Sequence, residues 1–551
     1  MEESNKNLSR RSFIGLGSIA ALAGAATLAG CSPKSGSAST GSTSASTAAA
    51  ATAKADETQS TDIVIVGAGG AGMWAAVEAA DAGKKVIVIE KGANVGASNG
   101  SVAGGPFMVG SKLQNAAGID FGIEEAFTHI MEYAHWSTNA PAVRQAVLLS
   151  GNTVDRFTDD FGVPTGLRPD NYGAGHASVR ANFQSDPKDS STQKKGIDRM
   201  GPLQTYVEGK GGTFLFNTTG KALLAEDGKV TGVQCADADG KVINIEAKKT
   251  IVCTGGFLGS TDKMMEHFGT FVNPLGNILS VGEGIDMVKA VGGQLSTQWG
   301  IAGNEFTGSN HNADGVWNRS NAAFAIAIYG PLLVNNQGRR FANEGRYANL
   351  PLALGGAESL LGGQYYAIVD QKYIDGLNAG TDAWTLSGAD AENWRTGSMT
   401  LKGKGLKDVQ TNLDAAVSAG WCFKANTIAE LGKAIGADDL ESTVKTYTGW
   451  VAAGKDDEFY KPACFLQPIA TAPFYALQYE PSAWVTIGGI RTNDHLQAID
   501  DEGIAIENLY VAGADNGTLM MAPYMDYEGY SLMCAYNGGR LAGKYAVAAM
   551  K

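Results

Sequence analysis

VIVGAGGAGMWAAVEAADAGKKVIVIEKG, Val64 to Gly92, is the stretch that decides the fold of this 551-residue chain. It reads as a strand, a glycine turn, a helix, and a second strand ending in an acid. That is the pattern of a dinucleotide-binding βαβ unit. Gly67, Gly69 and Gly72 supply the G-x-G-x-x-G spacing. Gly67 permits a tight turn, Gly69 lets backbone approach a pyrophosphate, and Gly72 lets the helix pack close to the sheet. The free N–H groups at the helix start, around Gly70 and Ala71, would cradle that pyrophosphate. Glu90 ends the second strand, where a carboxylate accepts ribose hydroxyls, and Lys91 follows it.

Upstream of this unit the chain carries an address. Ser9-Arg10-Arg11-Ser12-Phe13-Ile14 is a twin-arginine pattern, followed by a short apolar run of small residues. The run ends at Leu28-Ala29-Gly30-Cys31, a lipoprotein cleavage box. Residues 1–31 are therefore expected to direct export of the folded protein, and Cys31 to carry a lipid on the outer face of the cytoplasmic membrane. Residues 32–60, rich in Ser, Thr, Ala and Gly, are expected to be a flexible tether.

Downstream, Ser98, Asn99, Ser101, Gly104 and Gly105 lie in a small-residue loop suited to wrapping phosphates and a ring. Residues 213–256 read as antiparallel strands with turns at Glu226-Asp227-Gly228 and Asp237–Gly240, returning to the main sheet before Thr254-Gly255-Gly256. The pattern lapses between about 295 and 455, where a separate α+β capping domain is expected. It resumes with Gly489, then with the strand ending at Gly513 and Asp515, whose acid could hold a ribityl hydroxyl. A last helix starts near Gly529, which places Ser531 and Leu532 in its first turn. The expected fold class is α/β: a Rossmann-like dinucleotide-binding domain, 61–294 and 456–551, with the capping domain 295–455 inserted.

Composition narrows the function. Net charge is −13 with no basic cluster, so nucleic acid is a poor partner. Six cysteines include no C-x-x-C, so neither c-type haem attachment nor a ferredoxin-like cluster is expected, and six scattered histidines argue against a metal site.

From about Thr61 to Lys551 the chain resembles the flavoprotein family of soluble fumarate reductases, urocanate reductases and 3-ketosteroid dehydrogenases. The glycine-rich opening, Thr254-Gly255-Gly256-Phe257, Gly282-Glu283-Gly284-Ile285, the LVNNQGRRFANE segment from Leu333, Ile487-Gly488-Gly489 and Tyr510-Val511-Ala512-Gly513 match in order. The resemblance implies tightly bound FAD, a cap over its ring, and hydride exchange between flavin N5 and a carbon near an activating carbonyl.

The catalytic positions depart from the fumarate reductases. Their proton-donating arginine falls here on Ala348, with Arg346 two residues earlier. Their histidine pair before T-M-G-G is replaced by Trp484-Val485, and the region of their last arginine reads Pro523 to Tyr530. Two groups that clamp fumarate are thus missing, and fumarate is not the expected substrate. Trp484, Tyr524, Tyr527 and Tyr530 offer aromatic walls for a larger, flatter molecule, and a tyrosine hydroxyl can donate a proton. Arg346 is the other candidate donor, and His311 a candidate substrate contact. The expected activity is reduction of an activated C=C bond in an enoate or enone, aromatic ones included. Electrons would come from a separate cytochrome or FMN protein, in anaerobic respiration. Two alternatives stand beside it: a dehydrogenase desaturating a ketone or acid, and a non-catalytic solute-binding lipoprotein.

Overall fold

A computed structural model describes residues 53–98, 100, 103–167, 181–183, 199–269, 272–304, 326, 330–347, 364–379, 408–480, 482–520, 522–525 and 527–550. The address and most of the tether lie outside these residues, as do Asn99, Ser101 and His311.

The main sheet is built on the first strand, Glu57–Val66. Ile63 and Ile65 enter the core on one face, Val64 and Val66 the core on the other. A strand buried on both faces reads as an unbroken apolar run, as it does here. Each such side chain contributes about 1.5–3 kcal/mol of burial. The strand pairs in parallel with Val86–Ile89 on one side and Val242–Val252 on the other. The sheet order is Gln497–Ile499, Ala505–Val511, Lys229–Ala236, Val242–Val252, Glu57–Val66, Val86–Ile89, Thr213–Leu215, with Thr219–Glu226 paired to Lys229–Ala236. The two expected hairpins form: Asp227 and Gly228 take positive φ at the first turn, and Gly240 at the second.

Two helices cover the face of the first core. Gly70–Asp81 follows the glycine turn, and Tyr530–Ala548 closes the chain. They pack at near-backbone distance: a Cβ at Gly539 would fall 2.0 Å from the Ala71 carbonyl oxygen, and one at Gly543 2.8 Å from that of Ala75.

A second sheet, wholly antiparallel, has the order Leu332–Asn335, Tyr365–Asp370, Phe474–Tyr479, Cys422–Ala425. Its alternate residues feed two cores, Tyr365 and Ala367 into one and Tyr366 and Ile368 into the other. Phe474–Tyr479 lies beyond residue 455, where the sequence placed the end of the cap. That strand is recruited by pairing with residues about a hundred positions earlier, which local composition does not reveal. A three-stranded sheet joins Gly300–Asn304, Ser482–Ile487 and Asn273–Pro274.

Candidate functional site

The C-terminal ends of the central strands open onto a cleft of about 1150 Å³, counting its mouth. Gly67, Gly69, Gly70, Ala71, Glu90, Lys91, Ser98, Thr254, Gly255, Gly513, Ser531 and Leu532 all line it, as the sequence predicts.

The floor is a backbone construction. Gly67 has φ +103°, and a Cβ there would sit 2.4 Å from the Cys253 carbonyl oxygen. Gly72 lies under the turn rather than in the wall: its Cβ would fall 1.8 Å from the Gly67 oxygen. Gly69 caps the first helix with no side-chain bond, so the N–H groups of that first turn are left to a ligand. Glu90 accepts the Ala68 N–H at 2.8 Å and the Gly92 N–H at 2.6 Å. A carboxylate has about four acceptor sites, so capacity for ribose hydroxyls remains. The Ser98 hydroxyl is buried in the cleft with no hydrogen-bond partner among the described residues.

Asp515, read from the sequence as a ribityl contact, is bonded here to the protein's own backbone. It is fully buried and does not line the cleft. Its carboxylate accepts the Thr254 hydroxyl at 2.9 Å, the Gly256 N–H at 2.8 Å and the Thr254 N–H. Burial raises its pKa although these bonds oppose the rise. Asp515 therefore holds the turn that lines the cleft. Gly256 and Gly489 belong to the same support: a Cβ at Gly256 would strike the Thr486 hydroxyl, and one at Gly489 the Asp515 carbonyl. Gly104 and Gly105 also stand behind the wall. The Gly104 oxygen accepts the Phe183 N–H at 3.2 Å, and a Cβ at Gly529 would lie 2.6 Å from the Gly105 oxygen.

The tyrosines separate by environment. Tyr530 is fully buried, donates to the Leu519 carbonyl at 3.0 Å, and has its pKa pushed well up by burial. Its proton is committed to the backbone, contrary to a donor role. Tyr527 is core: its ring stacks on Phe107 at 4.9 Å and meets His129 at 4.6 Å. Tyr524 does not line the cleft either, but it touches a residue that does: its hydroxyl oxygen accepts the N–H of Ser531 at 3.1 Å, in the first turn of the last helix. Trp484 is not in the cleft wall, and its neighbour Val485 is. Strand alternation turns adjacent side chains to opposite faces. The backbone of Arg346 lies on the short helix Glu344–Tyr347, and its side chain is outside the described part.

Sequence reasoning missed Thr218, Ser280, Glu283, Met520 and Cys534 in the wall. The Thr218 N–H donates to the Glu90 carbonyl at 2.9 Å, a contact between segments far apart in the chain. The spacing of the turn residues gave no sign of it.

The cradle fits a dinucleotide: an orphaned donor, a helix start with spare N–H groups, and glycines where a Cβ has no room. Residues 62–532 match the family described as FAD binding domain. The chain belongs to this family of flavoproteins. The flavoprotein is similar to the vinyl phenol reductase of Lactiplantibacillus plantarum, 28% identical over 503 residues, 88% of this chain and 96% of that one. It is similar to the digoxin reductase of Eggerthella lenta, 26% identical over 585 aligned positions, covering 98% and 97% of the two chains. Its fold is that of the 3-ketosteroid Δ1-dehydrogenase from Sterolibacterium denitrificans, with a TM-score of 0.69 at 18% identity over 89% of this chain and 100% of that one. The flavoprotein is an FAD-dependent oxidoreductase acting on CH–CH or C=C groups, which sets aside the solute-binding reading.

Proposed function

We propose that this flavoprotein reduces an activated C=C bond in an enoate, enone or vinyl phenol, aromatic substrates included. Bound FAD supplies the hydride chemistry. The residues described above would hold it: the Gly67–Ala71 turn and Ser98 at the pyrophosphate, Glu90 at the ribose, and the Ser531–Leu532 helix start at the ring end.

The observation that carries the reading is Tyr524. Its oxygen accepts a hydrogen bond from Ser531, a residue of the cleft wall, at the positive end of a helix. An N–H aimed at a phenol oxygen stabilises the phenolate left after proton transfer, so Tyr524 is poised as general acid. Arg346 is the second candidate for that role. The vinyl phenol reductase, similar over nearly its whole length, supports an alkene as acceptor.

The test is an anaerobic screen with reduced methyl viologen as donor against vinyl phenols, aryl acrylates, enones and fumarate. We expect turnover of at least one conjugated alkene and little with fumarate. Tyr524→Phe should keep its FAD and lose about 10²-fold or more in kcat. A holoprotein that reoxidises viologen with none of these alkenes refutes the reading.

Export and anchoring belong to the same proposal. Twin-arginine export carries the folded holoprotein, Cys31 bears the lipid, and a separate cytochrome or FMN protein delivers electrons for anaerobic respiration. Cys31→Ala should release the protein from membrane fractions.

A further inference from the structure

Among the described residues Arg199 is a buried cation without a counter-ion. It is 3% exposed, and among the described residues no carboxylate pairs with it. One guanidinium nitrogen donates to the Ala103 carbonyl at 2.5 Å. Its central carbon stands 4.1 Å from the centre of the Phe183 ring. Its Nε has no hydrogen-bond partner. Other strongly buried arginines of this chain are matched: Arg340 meets Glu344 and Asp456, and Arg540 meets Glu78. An unpaired buried charge costs several kcal/mol by order of magnitude, so something must compensate it.

Its surroundings say what that is. Ala103 opens the Ala103–Gly105 loop. The Gly104 oxygen accepts from Phe183, and Gly105 abuts Gly529, which caps the helix carrying Ser531 and Leu532. The Phe183 ring under Arg199 packs edge-on against Phe157 at 4.8 Å, and Phe157 meets Tyr536 at 5.3 Å. The Tyr536 hydroxyl donates to the Gly100 carbonyl at 2.7 Å, and its ring leaves no room for a Cβ at Gly70. Gly70 and Gly100 both line the FAD cleft. Arg199 thus holds the loop that abuts the helix start of Ser531 and Leu532, both in the cleft wall, and it does so in a buried medium where a charge is weakly screened.

We propose that Arg199 is a positioning residue that pins the Ala103–Gly105 loop and lends bound FAD a positive charge, favouring the reduced, anionic ring. This rests on FAD binding and not on the identity of the alkene. Electron uptake adds negative charge to a cleft near which Arg199 carries a positive charge that no described carboxylate pairs with.

The experiment compares the holoprotein with Arg199→Met and Arg199→Lys. Two readouts are taken without any substrate: the two-electron midpoint potential of the bound FAD, and the dissociation constant of its sulfite adduct, followed by bleaching of the yellow band. We expect Arg199→Met to shift the potential to more negative values and to weaken the adduct about tenfold, roughly 1.4 kcal/mol. Arg199→Lys, which keeps the charge, should stay close to the unsubstituted protein in both. A wild-type potential and sulfite affinity in Arg199→Met overturn the proposal and leave Arg199 a packing residue. Should Arg199→Met not retain FAD, Arg199→Lys decides: loss of sulfite affinity with the charge present is equally fatal.

Discussion

The FAD cleft and the second sheet solve the problem of holding a site by opposite means. The cleft is shaped by main chain. Its turn and its helix starts offer N–H groups, and side chains such as Glu90 and Asp515 serve to hold the turns that shape it. The second sheet holds its short helix Glu344–Tyr347 by charge. Arg340 is fully buried and donates to Glu344 at 2.9 and 2.8 Å and to Asp456 at 3.0 and 2.7 Å. Lys461, also buried, donates to the Pro331 carbonyl and the Tyr447 hydroxyl and lies 3.6 Å from Glu344. One region tolerates no added atom, and the other tolerates no removed charge.

The sharpest way to break that contrast is Arg340→Met. Removing one member of a buried network leaves the carboxylates of Glu344 and Asp456 uncompensated, with Lys461 alone beside Glu344. We expect a loss of about 3–5 kcal/mol in stability, read as a lower denaturation midpoint. The main sheet makes none of these contacts, so FAD should stay bound below the transition. An Arg340→Met protein as stable as the parent would show that the network is dispensable.

Next in size is Gly72→Ala. The new Cβ would meet the Gly67 carbonyl at 1.8 Å, a backbone clash no rotamer relieves. Overpacking of this kind costs about 1–3 kcal/mol or more. Because the displaced atoms are the phosphate turn itself, the purified protein should carry little FAD by its absorbance ratio. Gly209→Ala is the control, since nothing lies within 4 Å of its Cβ and it should stay yellow.

This difference also explains what could be read in advance. The cradle was legible because backbone recognition needs glycine at fixed spacing, and Gly67, Gly69, Gly72, Gly255 and Gly513 all reach it or its floor. Glu90 was legible as the acid ending a strand. The part Asp515 plays in holding the Thr254–Gly256 turn was not legible, because Thr254 and Gly256 lie some 260 positions away. Tyr530 and Tyr524 are near neighbours of one residue type, and only their partners, the Leu519 carbonyl and the Ser531 N–H, tell them apart. The partners of Arg340 were not legible, because Asp456 and Lys461 come from a distant stretch with no motif. Pairing across the fold leaves no local period for a reader to find.

Acid sharpens the comparison from the other side. Burial works to raise the Asp456 pKa, but hydrogen bonds from Arg340 and from the N–H groups of Lys461 and Glu458 outweigh it and hold the carboxyl well below its ordinary range. A depressed folded pKa means the stabilisation is complete above the unfolded value, about 3.9, and is lost as pH falls through the lower folded one. The denaturation midpoint should therefore fall steeply in strong acid. In Asp456→Asn the same descent should be shallower. Equal acid slopes in the two proteins would place the sensitive carboxylates elsewhere.

The smallest effect is expected where the cleft does use a salt bridge. Lys91 Nζ lies 2.5 Å from Glu283 and 3.2 Å from the Leu279 carbonyl, so it links two sides of the cleft wall. Yet the two side chains are 35% and 31% exposed. Water and salt screen such a pair, and it contributes only about 0.2–1 kcal/mol. Lys91→Met should therefore raise the FAD dissociation constant by no more than about fivefold. The difference from the parent should vanish near 1 M salt, where the screening length is about 3 Å. If Lys91→Met instead lost FAD as completely as Gly72→Ala, the cleft would depend on charge as the second sheet does, and main-chain shape would no longer account for cofactor binding.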